Sequence, residues 1–107
     1  MPAATPNARE IATARTLWLS HRDQEARTIM ELDSDTATEE IMMFGAFDCV
    51  CGFEQPLAIA KDEGMSSAWE CGFDDTAQSP AWEHEVLVEL VRILVRPAGD
   101  HDKECPR

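Results

Sequence analysis

The chain has 107 residues, 44% of them hydrophobic, which suffices for one domain with one modest core. Twenty-one acidic residues against nine basic ones give a formal net charge of −12, a field that opposes unaided contact with nucleic acid or an anionic membrane. The N-terminal stretch MPAATPNARE is polar and carries no apolar h-region, so a cytoplasmic protein is expected.

The charge is unevenly placed. Residues 1–27 and residues 92–107 each carry four basic and three acidic groups, whereas residues 28–91 carry fifteen acidic groups against Lys61 alone. The acidity belongs to the middle of the chain. Such a segment suits a basic protein partner, or simple solubility.

Residues 1–5 are expected to be a loose tail. Thr5 then offers a helix cap with Pro6 at the first helical position. From there to about Met30, Ile11, Trp18, Leu19, Ala26 and Ile29 recur on one helical face. Arg15 and Arg22 intrude on that face, where they either snorkel at its edge or pair with acids of the middle segment. The run Asp33-Ser34-Asp35-Thr36 reads as a turn and helix start, capped by Thr36 or Asp35, with Glu39 and Glu40 in the first turn. It opens like a calcium loop, but position six would be Thr38 instead of Gly and position twelve Phe44 instead of Glu, so calcium is rejected.

The stretch Ile41–Phe47 (IMMFGAF) is apolar on every side and therefore buried, although periodicity alone does not separate helix from strand there. Pro56 opens LAIAKDEG, a short helix with a stop at Gly64. Residues 66–71 suit a further helical turn before Gly72, and residues 74–79 (DDTAQS) a polar connection. The strongest helical signal is Ser79–Pro97: Ser79 as cap, Pro80 at the first position, Glu83 near the start, Arg92 and Arg96 near the end, and Pro97 with Gly99 as the stop. Glu85, Glu89, Arg92 and Arg96 share a narrow polar arc, on which Glu89 and Arg92 are spaced to pair. The remaining wide apolar arc predicts packing on more than one side, within one chain or in a homodimer. Four charges make the segment too polar to span a bilayer. Residues 98–107 read as a second loose tail.

One near-repeat stands out. Cys51-Gly52-Phe53-Glu54 returns as Cys71-Gly72-Phe73-Asp74, and Cys49 precedes the first copy by two positions. Cys-Gly resembles a zinc knuckle, in which glycine lets backbone N–H groups turn toward a thiolate. A structural zinc would take Cys49, Cys51 and Cys71, with His84 as the preferred fourth ligand over His101, Cys105 and His21. The spacing departs from a zinc ribbon, because the first copy is C-x-C and Trp69 occupies the partner position in the second. Buried core thiols are the plainer account. Redox chemistry is disfavoured, since Asp48 and Glu54 beside the C-x-C would raise the thiol pKa.

No H-E-x-x-H, Gly-rich phosphate loop or G-x-S-x-G is present, and the three histidines are scattered. The chain is therefore expected to be mainly α, a small single domain (1–107) of four or five helices with the C-terminal helix central. The alternative is α+β, with short hairpins at the two Cys-Gly turns. The expected function is non-enzymatic and without a cofactor: an acidic protein that binds a protein partner, as an inhibitor or antagonist occupying a basic nucleic-acid-binding surface. It would itself bind neither nucleic acid nor membrane. A zinc-stabilised interaction module using the knuckle-like turns is the alternative. The acids expected to meet the partner are Glu31, Asp33, Asp35, Glu39, Glu40, Asp74 and Asp75, which sit in turns and first helical turns, more than Asp100 or Asp102.

Overall fold

A computed structural model describes residues 5–95. They form α1 (Ala8–Met30), α2 (Ser34–Cys51), α3 (Leu57–Ala60), α4 (Glu63–Ala77) and α5 (Pro80–Leu94), with no strand among the described residues. The mainly helical expectation holds and the hairpin alternative does not. Cys49 and Cys51 lie in the last turn of α2, and Cys71 lies inside α4. The residues expected as tails, apart from Thr5, lie outside the described region, as do Arg96, Pro97, Gly99, His101 and Cys105.

Local chemistry sets most helix boundaries. Helix α1 starts two residues later than Thr5 and Pro6 suggested. Asn7 is its cap: the Asn7 side chain accepts from the Glu10 N–H at 2.8 Å, and the Glu10 carboxylate accepts from the Asn7 N–H at 3.2 Å. This reciprocal box satisfies the N–H groups of Asn7 and Glu10 at the helix start. Helix α2 is capped by Asp33, whose Oδ2 accepts from the Thr36 N–H at 3.3 Å, and not by Asp35 or Thr36. Gly64 does not end a helix. Asp62 caps α4 by accepting from the Met65 N–H, which places Gly64 within the first turn, and α3 stops at Ala60. The expected connection over residues 74–79 is largely the last turn of α4, where buried Thr76 donates its hydroxyl to the Gly72 carbonyl at 2.8 Å.

Hydrogen bonds from Thr36 hold the Asp33 carboxyl below its ordinary value of 3.8. A depressed folded value means that Asp33 contributes its stability in full above 3.8 and loses it as the pH falls through the folded value. Asp33→Asn keeps the cap without the titration. The urea midpoint of that variant, relative to the parent, should therefore improve between about pH 6 and about pH 2.5. A difference that does not change with pH would refute this role.

Helix α5 meets the other three long helices, as a central last helix should. Ser79 caps it, accepting from the Trp82 N–H at 3.3 Å, with Pro80 at its start, and Arg92 pairs with Glu89 at 2.6 Å. Its wide apolar arc is only partly covered. Val86, Leu90 and Val91 are buried, while Trp82 and Ile93 each remain 41% exposed.

The most buried element is α2, from Ala37 through Ile41, Phe44 and Phe47 to Cys51. Trp18 of α1 sets its indole edge-on against Phe44 and Phe47, at 4.8 and 5.2 Å between ring centres. Helices α2 and α4 cross where each has a glycine. A Cβ on Gly72 would stand 1.9 Å from the Met42 carbonyl oxygen, and one on Gly45 would stand 2.2 Å from the Trp69 carbonyl oxygen. The two backbones touch because neither helix has a side chain at the crossing.

Candidate partner-binding surface

All seven acids expected to meet a partner are exposed. Glu31 caps the C-terminal end of α1, Asp33 and Asp35 stand at the start of α2, and Glu39 and Glu40 follow one turn later. Asp74 and Asp75 lie near the end of α4, not in a loop.

Two open grooves share residues of α2. The first, of about 700 Å³, runs between α2, the end of α4 and the start of α5. Met42, Met43, Ala46 and Trp82 give it an apolar lining, and Glu39 and Asp75 add carboxylates. The second, of about 480 Å³, lies between α1, α2 and α5. Met43, Phe47 and Ile93 line it with Glu25, Glu39, Glu40 and Glu89. Glu39 and Met43 belong to both, so the grooves meet on α2.

The structure thus gathers Glu39, Glu40 and Asp75 around apolar surface and leaves Glu31, Asp33, Asp35 and Asp74 outside the grooves. It adds Glu25 and Glu89, which linear position did not single out. The signal for Glu89 was present in part, since its pairing with Arg92 follows from i,i+3 spacing. That pairing holds the Glu89 carboxyl below its ordinary value, against a smaller opposing effect of burial. Of the aromatic residues near the Cys-Gly runs, Trp69 is buried and stacked on Phe73 at 4.9 Å, and Phe53 and Phe73 are half-buried.

The four residues expected around zinc take different positions. Cys51 is buried at the end of α2, Cys49 is half-buried, Cys71 is exposed and donates to Asp75 at 3.9 Å, and His84 is exposed on α5. Among the described residues, no three of His, Cys, Asp and Glu form a group able to hold a metal ion. The two Cys-Gly runs are not alike either. Gly52 has φ 78° and ends α2 in the left-handed conformation, whereas Gly72 is helical and serves the crossing.

Burial pushes the Cys51 thiol up to about 12, with the Asp48 carboxylate adding to the rise; burial, then Glu83 and Asp74, raises Cys49. Thiolate chemistry is suppressed at both. With a thiol reagent under native conditions, followed by peptide mapping, Cys71 should react promptly and Cys51 only after denaturant is added. Equal labelling of Cys51 and Cys71 in the native protein would contradict this placement.

One buried ionic cluster was legible in the sequence only as far as a pairing of Arg22 with some acid of the middle segment. Asp48 is 0% exposed, in the second half of α2. Its Oδ1 accepts from Trp18 Nε1 at 2.7 Å and Arg22 Nε at 3.0 Å; its Oδ2 accepts from Arg22 Nη2 at 2.7 Å and Trp69 Nε1 at 2.9 Å. Burial raises the Asp48 carboxyl, and the donors from Arg22, Trp18 and Trp69 oppose the rise. Four N–H groups occupy all four acceptor directions of the carboxylate. No lone pair is left to take a proton from a substrate, so the cluster is a structural tie and not an acid–base site.

The tie also answers where Arg15 and Arg22 go. Arg22 pairs with Asp48, and Arg15 Nε donates to the Cys51 carbonyl at 3.0 Å; both guanidinium groups lie over the Phe53 ring. Helix α2 has no basic residue in its last turn. Helix α1 supplies the positive charge that its C-terminal dipole favours.

No described helix is long and apolar enough to cross a membrane. In comparisons with known proteins, no family model, no curated protein and no solved structure matches this chain.

Proposed function

We propose that this is a small non-enzymatic protein that binds a protein partner through its acidic surface, as an antagonist occupying the partner's basic nucleic-acid-binding surface. The observation that carries this reading is the concentration of charge: fifteen carboxylates against Lys61 over residues 28–91. The acids on the α1–α2 connection, the first half of α2 and the end of α4 support it by being exposed. Carboxylates in a Lys/Arg channel release the counterions that DNA would release, and they compete with it on the same electrostatic terms. The antagonist and its partner would meet in the cytoplasm.

The test is capture of the partner at low salt, followed by competition. Raising salt from about 50 mM to about 200 mM should weaken the complex by an order of magnitude or more, and duplex DNA should displace the protein from its partner. Reversing Glu39, Glu40 and Asp75 to lysine should weaken the complex more than reversing Asp100. A complex indifferent to salt and to DNA would refute the proposal.

A further inference from the structure

We infer that the two grooves meeting on α2 form one seat for an amphipathic basic helix of the partner, an inference that rests on the partner-binding function proposed above and gives that partner its chemistry. Two features of the seat coincide. Its lining is apolar and uncovered: Trp82 and Ile93 remain 41% exposed, and Met42 and Met43 are half-buried. Its charged groups are all carboxylates: Glu25, Glu39, Glu40 and Asp75 form no ion pair among the described residues, and Glu89 pairs with Arg92.

A guest must satisfy both features at once. A rigid, wholly polar basic surface would meet the carboxylates and leave the apolar lining wet. A second copy of this chain would cover the lining and bring together two molecules of net charge −12. A helix with an apolar stripe and flanking Lys/Arg does both. The spacing fits: Trp82 and Ile93 are eleven positions apart on α5, roughly 16 Å along its axis, the span of a guest stripe at i, i+4, i+7 and i+11. Met42 in the first groove and Met43, shared by both, are unbranched and adaptable, so the seat tolerates guests of varied side-chain shape.

The experiment uses the full-length protein and two synthetic Leu/Lys peptides of about 18 residues and identical composition. One is patterned as an amphipathic helix and the other is scrambled, and binding is measured by titration calorimetry. The patterned peptide should bind at least about tenfold more tightly than the scrambled one. Trp82→Ser combined with Ile93→Ser should erase that advantage, and Leu57→Ser, an exposed apolar change on α3, should not. Circular dichroism of each variant checks that the fold is retained. Equal binding of both peptides, abolished by salt, would overturn the helix seat and leave the acidic-surface function standing. Binding of neither would overturn both. A stable dimer in sedimentation that dissociates with the Trp82 and Ile93 changes would assign the seat to a second copy and overturn the inference.

Discussion

Asp48→Ala should destabilise the protein by about 3–5 kcal/mol, a large share of the roughly 5–15 kcal/mol that holds a small domain folded. The side chain of Asp48 is 0% exposed and that of Arg22 12% exposed. Removing the carboxylate leaves a nearly buried guanidinium with only the Glu54 carbonyl as acceptor and strands two buried indole N–H groups that face the same empty space. Asp48→Asn is not a gentle substitute. Each carboxylate oxygen accepts two N–H donors, so an amide must point its NH2 at two donors whichever way it is turned. Arg22→Met leaves the carboxylate with its two indole donors, and the pair Arg22→Met with Asp48→Leu removes both charges together. The double variant should lose less than the sum of Arg22→Met and Asp48→Leu, with a coupling of at least about 1 kcal/mol. Urea denaturation of the four proteins measures this. Additive losses would show that the pair is not a unit.

The second large effect is expected at the helix crossing. Gly72→Ala should cost about 3 kcal/mol, because the new Cβ would stand 1.9 Å from the Met42 carbonyl oxygen and 2.7 Å from its carbon. The obstacle is backbone, which has no rotamer to escape into, so α2 and α4 must move apart. Trp69 and its bond to Asp48 would move with α4. Alanine is the better helix former by about 1 kcal/mol, so propensity alone predicts the opposite sign. The magnitudes decide for destabilisation. For a domain of this size the melting temperature should fall by roughly 12 °C or more. Gly64→Ala is the internal control: that glycine is exposed in the first turn of α4, where a Cβ meets only the end of the Asp62 side chain at 3.5 Å. It should be neutral or stabilising by up to about 1 kcal/mol. A Gly72→Ala protein that melts at or above the parent temperature would rule out the close crossing.

Helical character was legible in the sequence wherever the signal lies within one helix. The start of α5 at Ser79 and Pro80 and the Glu89–Arg92 pair depend on residues within four positions of one another. So do the helix starts near Asn7 and Asp33, where only the choice among neighbouring caps went astray, whereas at Asp62 a helix begins where the sequence suggested one ending at Gly64. The acids of the candidate surface could be named as exposed from composition and position. Which of them frame apolar surface could not, because Glu39 and Asp75 share a groove only once α2 and α4 are packed.

The near-repeat shows the limit most clearly. Cys51-Gly52 and Cys71-Gly72 are identical dipeptides with different reasons for their glycines. At Gly52 the reason is local, a φ of 78° that ends a helix. At Gly72 it is the carbonyl of Met42, thirty residues away in the chain. Asp48 is the same case, since nothing adjacent to it announces Trp18, Arg22 and Trp69. By itself the sequence determined that the chain is helical at its two ends, where its negative charge concentrates and near which residues most helices start, because these follow from neighbours a few bonds apart; that residues 41–73 are helical as well was left to the tertiary structure. Only the tertiary structure decided which glycines mark a crossing, which carboxylate is buried and which stand beside a groove, because those depend on which helix faces which.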